Sequence, residues 1–265
     1  MKRLKIIFSI TIISSFLLAT ASCFQDLNQD PSFDYPEGGG QQYAAQYDET
    51  FYMSYEADPY YVDSISLNNV LAVGTPSFAD GKIGKAYLGA ANSYLSVNVA
   101  DLKTPLTTAF SATLWYKMGT ATRAGILTCG KNNAAHDERK FGFRFFREGS
   151  ATAQRFKLNM GNGSAEVYAD GGVAADLDPA VGWVFLTFTI AEGRCAVYFN
   201  GTLVKETAFT GAVDWDGCES ISIGSGAPTF TVWSHLSDTD LIDELRFFNK
   251  ELTVAEITEL MNATH

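Results

Sequence analysis

Beyond residue 45, apolar and polar residues alternate in short segments divided by turn residues. Phe141, Phe143 and Phe145 alternate with Gly142, Arg144 and Phe146, and side chains two apart share one face of a strand. Tyr94 to Val99 and Ala112 to Tyr116 alternate or run apolar. Val184 to Ile190 (VFLTFTI) is rich in the β-branched and aromatic residues that suit a pleated, half-buried surface. Arg155 to Met160 and Ala165 to Ala169 flank Gly161-Asn162-Gly163, a hairpin signal, and Ser220 to Gly224 and Leu241 to Phe248 complete the series. In AVYFNGTLVKE (196–206), Asn200-Gly201 predicts a two-residue type I′ turn, because both positions need positive φ. That turn would pair Phe199 with Thr202, Tyr198 with Leu203 and Val197 with Val204. Turn signals recur about every ten residues, which predicts an all-β antiparallel two-sheet sandwich or jelly roll. No repeat of 20–50 residues is visible, which argues against a propeller or solenoid. A single short helix is expected at the C-terminal end: Thr253 can cap a turn with Glu256, and Ile257, Leu260 and Met261 form an apolar stripe.

The first residues follow a different logic. Lys2, Arg3 and Lys5 precede an apolar run from Ile6 to Ala19, then Thr20, Ala21, Ser22 and Cys23. A charged start, a short apolar core and small residues are the parts of a secretory signal peptide, here residues 1–22. The run is shorter than the ~20 residues a membrane-spanning helix needs. Cys23 resembles the lipidated first mature residue of bacterial lipoproteins, although Thr20 stands where the strict lipobox has Leu. An ordinary signal peptide cut nearby is the alternative. Residues 23–44 then read as a lipidated cysteine and a flexible tether, since their Asp, Gln, Pro and Gly composition lacks periodicity and cannot bury a core. The expected location is the outer membrane, lipid-anchored and facing either the cell surface or the periplasm.

The formal charge is −11, and removing residues 1–23 would take away three basic side chains and no acidic ones. Such a surface repels nucleic acid and anionic membranes, so membrane contact is expected only through the lipid. Cys129, Cys195 and Cys218 remain after Cys23. An oxidising compartment permits a Cys195–Cys218 bridge between neighbouring strands; the alternative is three small buried thiols.

Five segments in order resemble a LamG-type, concanavalin A-like jelly-roll domain. They are GKIGKAYLGAANSYLSV (81–97), AFSATLWYKM (109–118), GWVFLTFTIAEGRCAVYFNGTLV (182–204), SISIGS (220–225) and LIDELRFFNKELTVAEITEL (241–260). The resemblance places the domain at residues 45–265 and implies packing roles for Trp115 and Trp183. It says less about function, because this fold hosts lectins, hydrolases and adhesion modules alike.

Catalytic chemistry finds little support. A retaining glycosidase needs two carboxylates about 5–5.5 Å apart. Glucanases of the superfamily carry Glu-x-Asp-x-Glu on one strand, but Asp240 and Asp243 are three apart and would point to opposite faces. His136, His235 and His265 stand near no nucleophile elbow, and no Gly-x-Gly-x-x-Gly or Cys-x-x-Cys segment occurs. No catalytic residue is assigned. The resemblance implies Ca²⁺ at the rim, with Asp240 and Asp243 as the expected metal ligands; solvated loop acids are the alternative. Sugar rings need flat aromatic faces with polar groups beside them. Trp215 (AVDWDG) and Trp233 (TVWSHLSD), with His235, are the expected ligand contacts, against rings folded onto the sandwich edge. Arg139, Lys140, Arg144 and Arg147 form a basic stripe that reads as a solvated strand face, or as a surface for a carboxylated glycan. The combined expectation is a non-catalytic surface lipoprotein binding carbohydrate. A protein-binding adhesion module with a cell-surface protein partner is the alternative, and a glycoside hydrolase a more distant one.

Overall fold

The computed structural model describes residues 44–57 and 60–263. The expected signal peptide, Cys23 and all but the last residue of the tether lie outside the described residues. The chain first forms β1 (Glu49–Met53), β2 (Leu71–Val73), β3 (Ser77–Asp80), β4 (Lys85–Leu88) and β5 (Tyr94–Asn98). Next come β6 (Phe110–Lys117), β7 (Arg123–Cys129), β8 (Phe143–Gly149), β9 (Gln154–Gly161), β10 (Glu166–Asp170) and β11 (Asp176–Leu177). Then follow β12 (Trp183–Ala191), β13 (Arg194–Phe199), β14 (Thr202–Ala208), β15 (Ser220–Ile223), β16 (Leu241–Phe248) and helix α1 (Val254–Asn262). Among the described residues no helix is long and apolar enough to cross a membrane.

Two antiparallel sheets result. Sheet I has the order β14-β13-β12-β6-β16-β4-β3, with β1 also on β16; sheet II has the order β10-β9-β8-β7-β15-β5-β2, with β11 also on β9. The late strands β15 and β16 insert between earlier ones, so each sheet closes only when the last third of the chain arrives. Period-two alternation explains the layering. Phe143, Phe145, Leu158 and Met160 of sheet II meet Phe110, Phe188 and Phe247 of sheet I in one buried cluster. Phe110 stacks on Phe143 at 5.3 Å between ring centroids, and Phe145 tilts against Phe188 at the same distance. Each fully buried side chain of this size contributes roughly 1.5–3 kcal/mol over its exposed state.

Helix α1 lies on the far face of sheet I, where Ile257 and Leu260 join Phe185, Tyr198, Phe248 and Leu252. The capping box forms as expected: Thr253 accepts from the Glu256 N–H, and Glu256 accepts from the Thr253 N–H. Trp115 packs here, edge-on to Phe185 at 5.2 Å, rather than between the sheets. The Asn200-Gly201 turn has φ of 49° and 77°, and Phe199 faces Thr202 and Tyr198 faces Leu203. Beyond them a register shift puts Val197 opposite Lys205, so the expected Val197–Val204 pair does not form. The Cys195–Cys218 bridge does not form either, and all three cysteines in the described residues are buried and free. Cys218 instead sits against Cys129 of sheet II, while Cys195 belongs to β13 of sheet I.

A candidate ligand groove on the outer face of sheet II

Side chains on β8, β9 and β10 that turn away from the core form the floor of a groove of about 340 Å³. Register sets this floor, because Phe146 faces Lys157 across β8–β9 and Lys157 faces Asp170 across β9–β10. The wall is the segment 226–237, which carries Phe230, Trp233 and His235. This segment is tied to β7 through the Gly125 N–H donating to the Leu236 carbonyl at 3.1 Å, and it closes on itself through Gly226 N–H to the His235 carbonyl at 2.8 Å. A Cβ at Gly125 would stand 2.1 Å from the Gly226 nitrogen, so the close approach of loop to strand requires glycine there.

Aromatic rings fill the wall. His235 stacks on Phe230 at 5.5 Å with 7° between planes and lies 4.3 Å from the Phe146 ring. Phe230 meets Trp233 at 5.3 Å, and Trp233 remains 38% exposed. The Arg139 guanidinium stands 4.6 Å over the Trp233 ring, donates to the Tyr168 hydroxyl at 2.9 Å and pairs with Glu166 at 2.8 Å. Lys157 bridges Glu148 and Asp170, each at 3.0 Å, and His235 Nε2 lies 2.9 Å from Glu148. Burial holds the His235 imidazole below its ordinary value despite Glu148. Glu148 goes down too: burial raises it, but its bonds to Lys157 and His235 outweigh that. A partly exposed indole beside paired, hydrogen-bonding side chains suits a ligand with both an apolar face and hydroxyl groups.

The segment's C-terminal end is held by charge. The buried Arg147 contacts Asp238 at 2.6 Å and Asp240 at 2.7 Å, donates to the Tyr116 hydroxyl at 2.7 Å and also bonds Gln154. Asp240 additionally accepts the Gly119 N–H, and Asp238 the Ala121 N–H. Asp243 does something else, accepting the Lys82 and Ile83 N–H groups at 2.8 and 2.9 Å and fixing the turn before β4. Burial pushes its carboxyl up to about 7. Asp240 Oδ2 and Asp243 Oδ1 keep no hydrogen-bond partner. Even so, the two carboxylates serve separate neighbours, and among the described residues no three acid, histidine or cysteine side chains group so as to hold a metal ion. Asp240 and Asp243 together do not fit the six to eight oxygen donors calcium takes.

The structure thus brings Trp233 and His235 together and separates them from Trp215. The Trp215 ring packs edge-on to Phe110 and Phe143, and its indole N–H donates to the Thr107 carbonyl at 2.7 Å. It is a packing residue. The basic stripe is not a solvated face: Arg144 and Arg147 are fully buried, and their spacing of three sends them to opposite sides of β8. Phe146, Glu148, Lys157, Tyr168, Asp170 and Phe230 line the groove without having been singled out as ligand contacts in the sequence. The alternation that turns most of them outward is legible, but the adjacency of their strands is not.

A family model described as the concanavalin A-like lectin/glucanases superfamily matches residues 89–258. The chain belongs to that superfamily. Among solved structures it is similar to domain 4 of AbnA, a GH43 extracellular arabinanase from Geobacillus stearothermophilus in complex with arabinotriose. The two share 21% identity and a TM-score of 0.61 over 81% of this chain and 98% of that one. It is also similar to the binding domain of botulinum neurotoxin DC in complex with rat synaptotagmin II (13% identity, TM-score 0.57, 81% of this chain and 51% of that one). A third likeness is the binding domain of Paraclostridial Mosquitocidal Protein 1 (13%, TM-score 0.58, 81% and 52%). The chain therefore spans about half the length of these two toxin domains. At these identities the likeness establishes the fold. No curated protein matches the chain.

Proposed function

We propose that this chain is a non-catalytic carbohydrate-binding module that holds a glycan in the groove of sheet II. The observation that carries this reading is the partly exposed Trp233 side chain, beside Arg139, Tyr168 and Lys157 in one groove. Support comes from the arabinanase domain, whose structure is a complex with arabinotriose, and from a botulinum neurotoxin DC binding domain in complex with SialylT. The sequence at Cys23 supports display as a lipid-anchored outer-membrane protein, with residues 24–44 as the leash. A glycan array followed by calorimetric titration of the full chain tests the groove. Trp233→Ala is expected to weaken binding at least tenfold while leaving Tm nearly unchanged; undiminished binding would move the site elsewhere.

A protein partner is the second reading, favoured by one observation. Val232, Trp233 and Leu236 all expose apolar surface on the same segment, as protein contact sites do. A Trp233→Ala variant that loses a cell-surface protein but no glycan would establish it.

A further inference from the structure

The outer face of sheet II carries a polar row in strict register. Ser96, Ser222, Thr128, Arg144, Asn159 and Tyr168 lie side by side across β5, β15, β7, β8, β9 and β10. Their chain neighbours Leu127, Cys129, Phe143, Phe145, Leu158 and Met160 face the core, so the row faces away from it. At its centre, Thr128, Arg144 and Asn159 are all buried. Phe230 covers the guanidinium, 5.7 Å from its ring centroid. A Cβ built on Gly130 would stand 2.5 Å from Arg144 Nη2 and 3.4 Å from Thr229 Oγ1, which brackets the guanidinium between strand and loop.

The centre of the row is short of partners. Arg144 Nη1 donates to the Phe141 carbonyl at 2.9 Å, but Nε and Nη2 have no partner, nor do Thr128 Oγ1 and Asn159 Oδ1. Arg139, Arg147, Arg155, Arg194 and Arg246 each touch a carboxylate. Among the described residues, Arg144 is fully buried and touches no carboxylate; the Cys218 and Cys129 thiols and, after them, Glu138 act on it only through space. The groove's own charges are paired with one another, Arg139 with Glu166 and Lys157 with Glu148 and Asp170. A buried guanidinium stays charged, and without a counter-ion it raises the free energy of the empty state. It also presents donors in the planar fork that matches a carboxylate.

We propose that Arg144, with Thr128 and Asn159, forms a subsite under the groove for the carboxylate of an acidic sugar, so that the preferred ligand is a uronic-acid-type glycan. This rests on the groove being the glycan site. Phe230 lines the groove and covers Arg144, so it swings aside when the carboxylate seats. Thr128 and Asn159 supply the neighbouring hydroxyl and amide for the second carboxylate oxygen or a ring hydroxyl.

Titration of the full chain with trigalacturonate and with its neutral counterpart galactotriose tests this. The wild-type protein is expected to bind the acidic trimer at least tenfold more tightly. Arg144→Gln should erase that preference by weakening the acidic trimer at least tenfold, while Arg144→Lys should restore part of it. Asn159→Asp gives a second route should Arg144→Gln fold poorly. It places a carboxylate beside the guanidinium, and is expected to raise Tm and cancel the acidic preference. Equal affinities in the wild type, a preference for the neutral trimer, or an acidic preference surviving these variants would overturn the subsite while leaving the glycan groove standing. If neither trimer binds, the array decides: acidic glycans lost on Arg144→Gln support the subsite, neutral glycans alone overturn it, and none at all overturns the glycan reading itself.

Discussion

On the outer face of sheet I, helix α1 lays Ile257 and Leu260 over Phe185, Tyr198 and Phe248. On the outer face of sheet II, the segment 226–237 lays Phe230 and His235 over Phe146 and Arg144. The first cover is apolar against apolar, and burial alone holds it, since the hydrophobic effect needs no directional match. The second packs Phe230 and His235 on Phe146, and is further held by a backbone bond to β7 and by the Arg147–Asp238–Asp240 cluster at its end. Directional contacts over a polar floor leave atoms without partners, as at Arg144, Thr128 and Asn159. The helix seals an apolar face, while the loop covers the face that, in the proposed function, takes the ligand.

The largest effect should come from breaking the charged fastening. Arg147→Met leaves Asp238 and Asp240 buried without their cation, which costs about 3–5 kcal/mol. Chemical denaturation should show this loss. A change below about 1 kcal/mol would mean that the ion cluster contributes little to the cover. Next comes the apolar cover: Ile257→Ala in the fully buried position of α1 should cost about 2–4 kcal/mol and lower Tm by several degrees. Glycan affinity should stay unchanged, because α1 lies on the other sheet; a parallel loss of binding would mean that the two faces are coupled.

The smallest effect is a pH dependence confined to the loop. His235 is held below its ordinary value by burial, so the folded protein binds fewer protons than the unfolded chain once pH falls below about 6.5. Its contribution to stability is full above that pH and declines as pH drops through the folded value. Glu148, also lowered, adds a loss in the same direction at more acidic pH. Tm of the wild type should therefore fall more steeply than that of His235→Gln between about pH 7 and pH 5. Parallel curves would show that the imidazole gains or loses no proton on folding.

Much of this is legible in the sequence, and unevenly so. Trp233 and His235 could be expected together because residues two apart in one segment stay near each other in any fold. Trp215 had no such constraint. Its ring finds Phe110, Phe143 and the Thr107 carbonyl, more than 70 positions away in the chain for the nearest of them. The same holds for Asp240 and Asp243. Their spacing correctly predicted opposite orientations, but only the fold paired one with Arg147 and the other with the turn at Lys82 and Ile83. The basic stripe misled for a related reason. Charge along a strand suggests solvent, and burial of Arg144 and Arg147 comes from partners remote in sequence.

By itself the sequence determined the parts whose physics is local: alternating strands, the Asn200-Gly201 turn with positive φ at both positions, and the Thr253–Glu256 cap on the final helix. Backbone sterics and side-chain periodicity act within a few residues, so these need no knowledge of the rest of the chain. Tertiary structure alone decided which strands lie side by side, and therefore that Thr128, Arg144 and Asn159 form one row whose guanidinium Phe230 covers. That row depends on β15 entering sheet II between β7 and β5 and on the segment after it folding back over β7 and β8. Such pairings are fixed by the packing of the whole sandwich rather than by any short stretch of it.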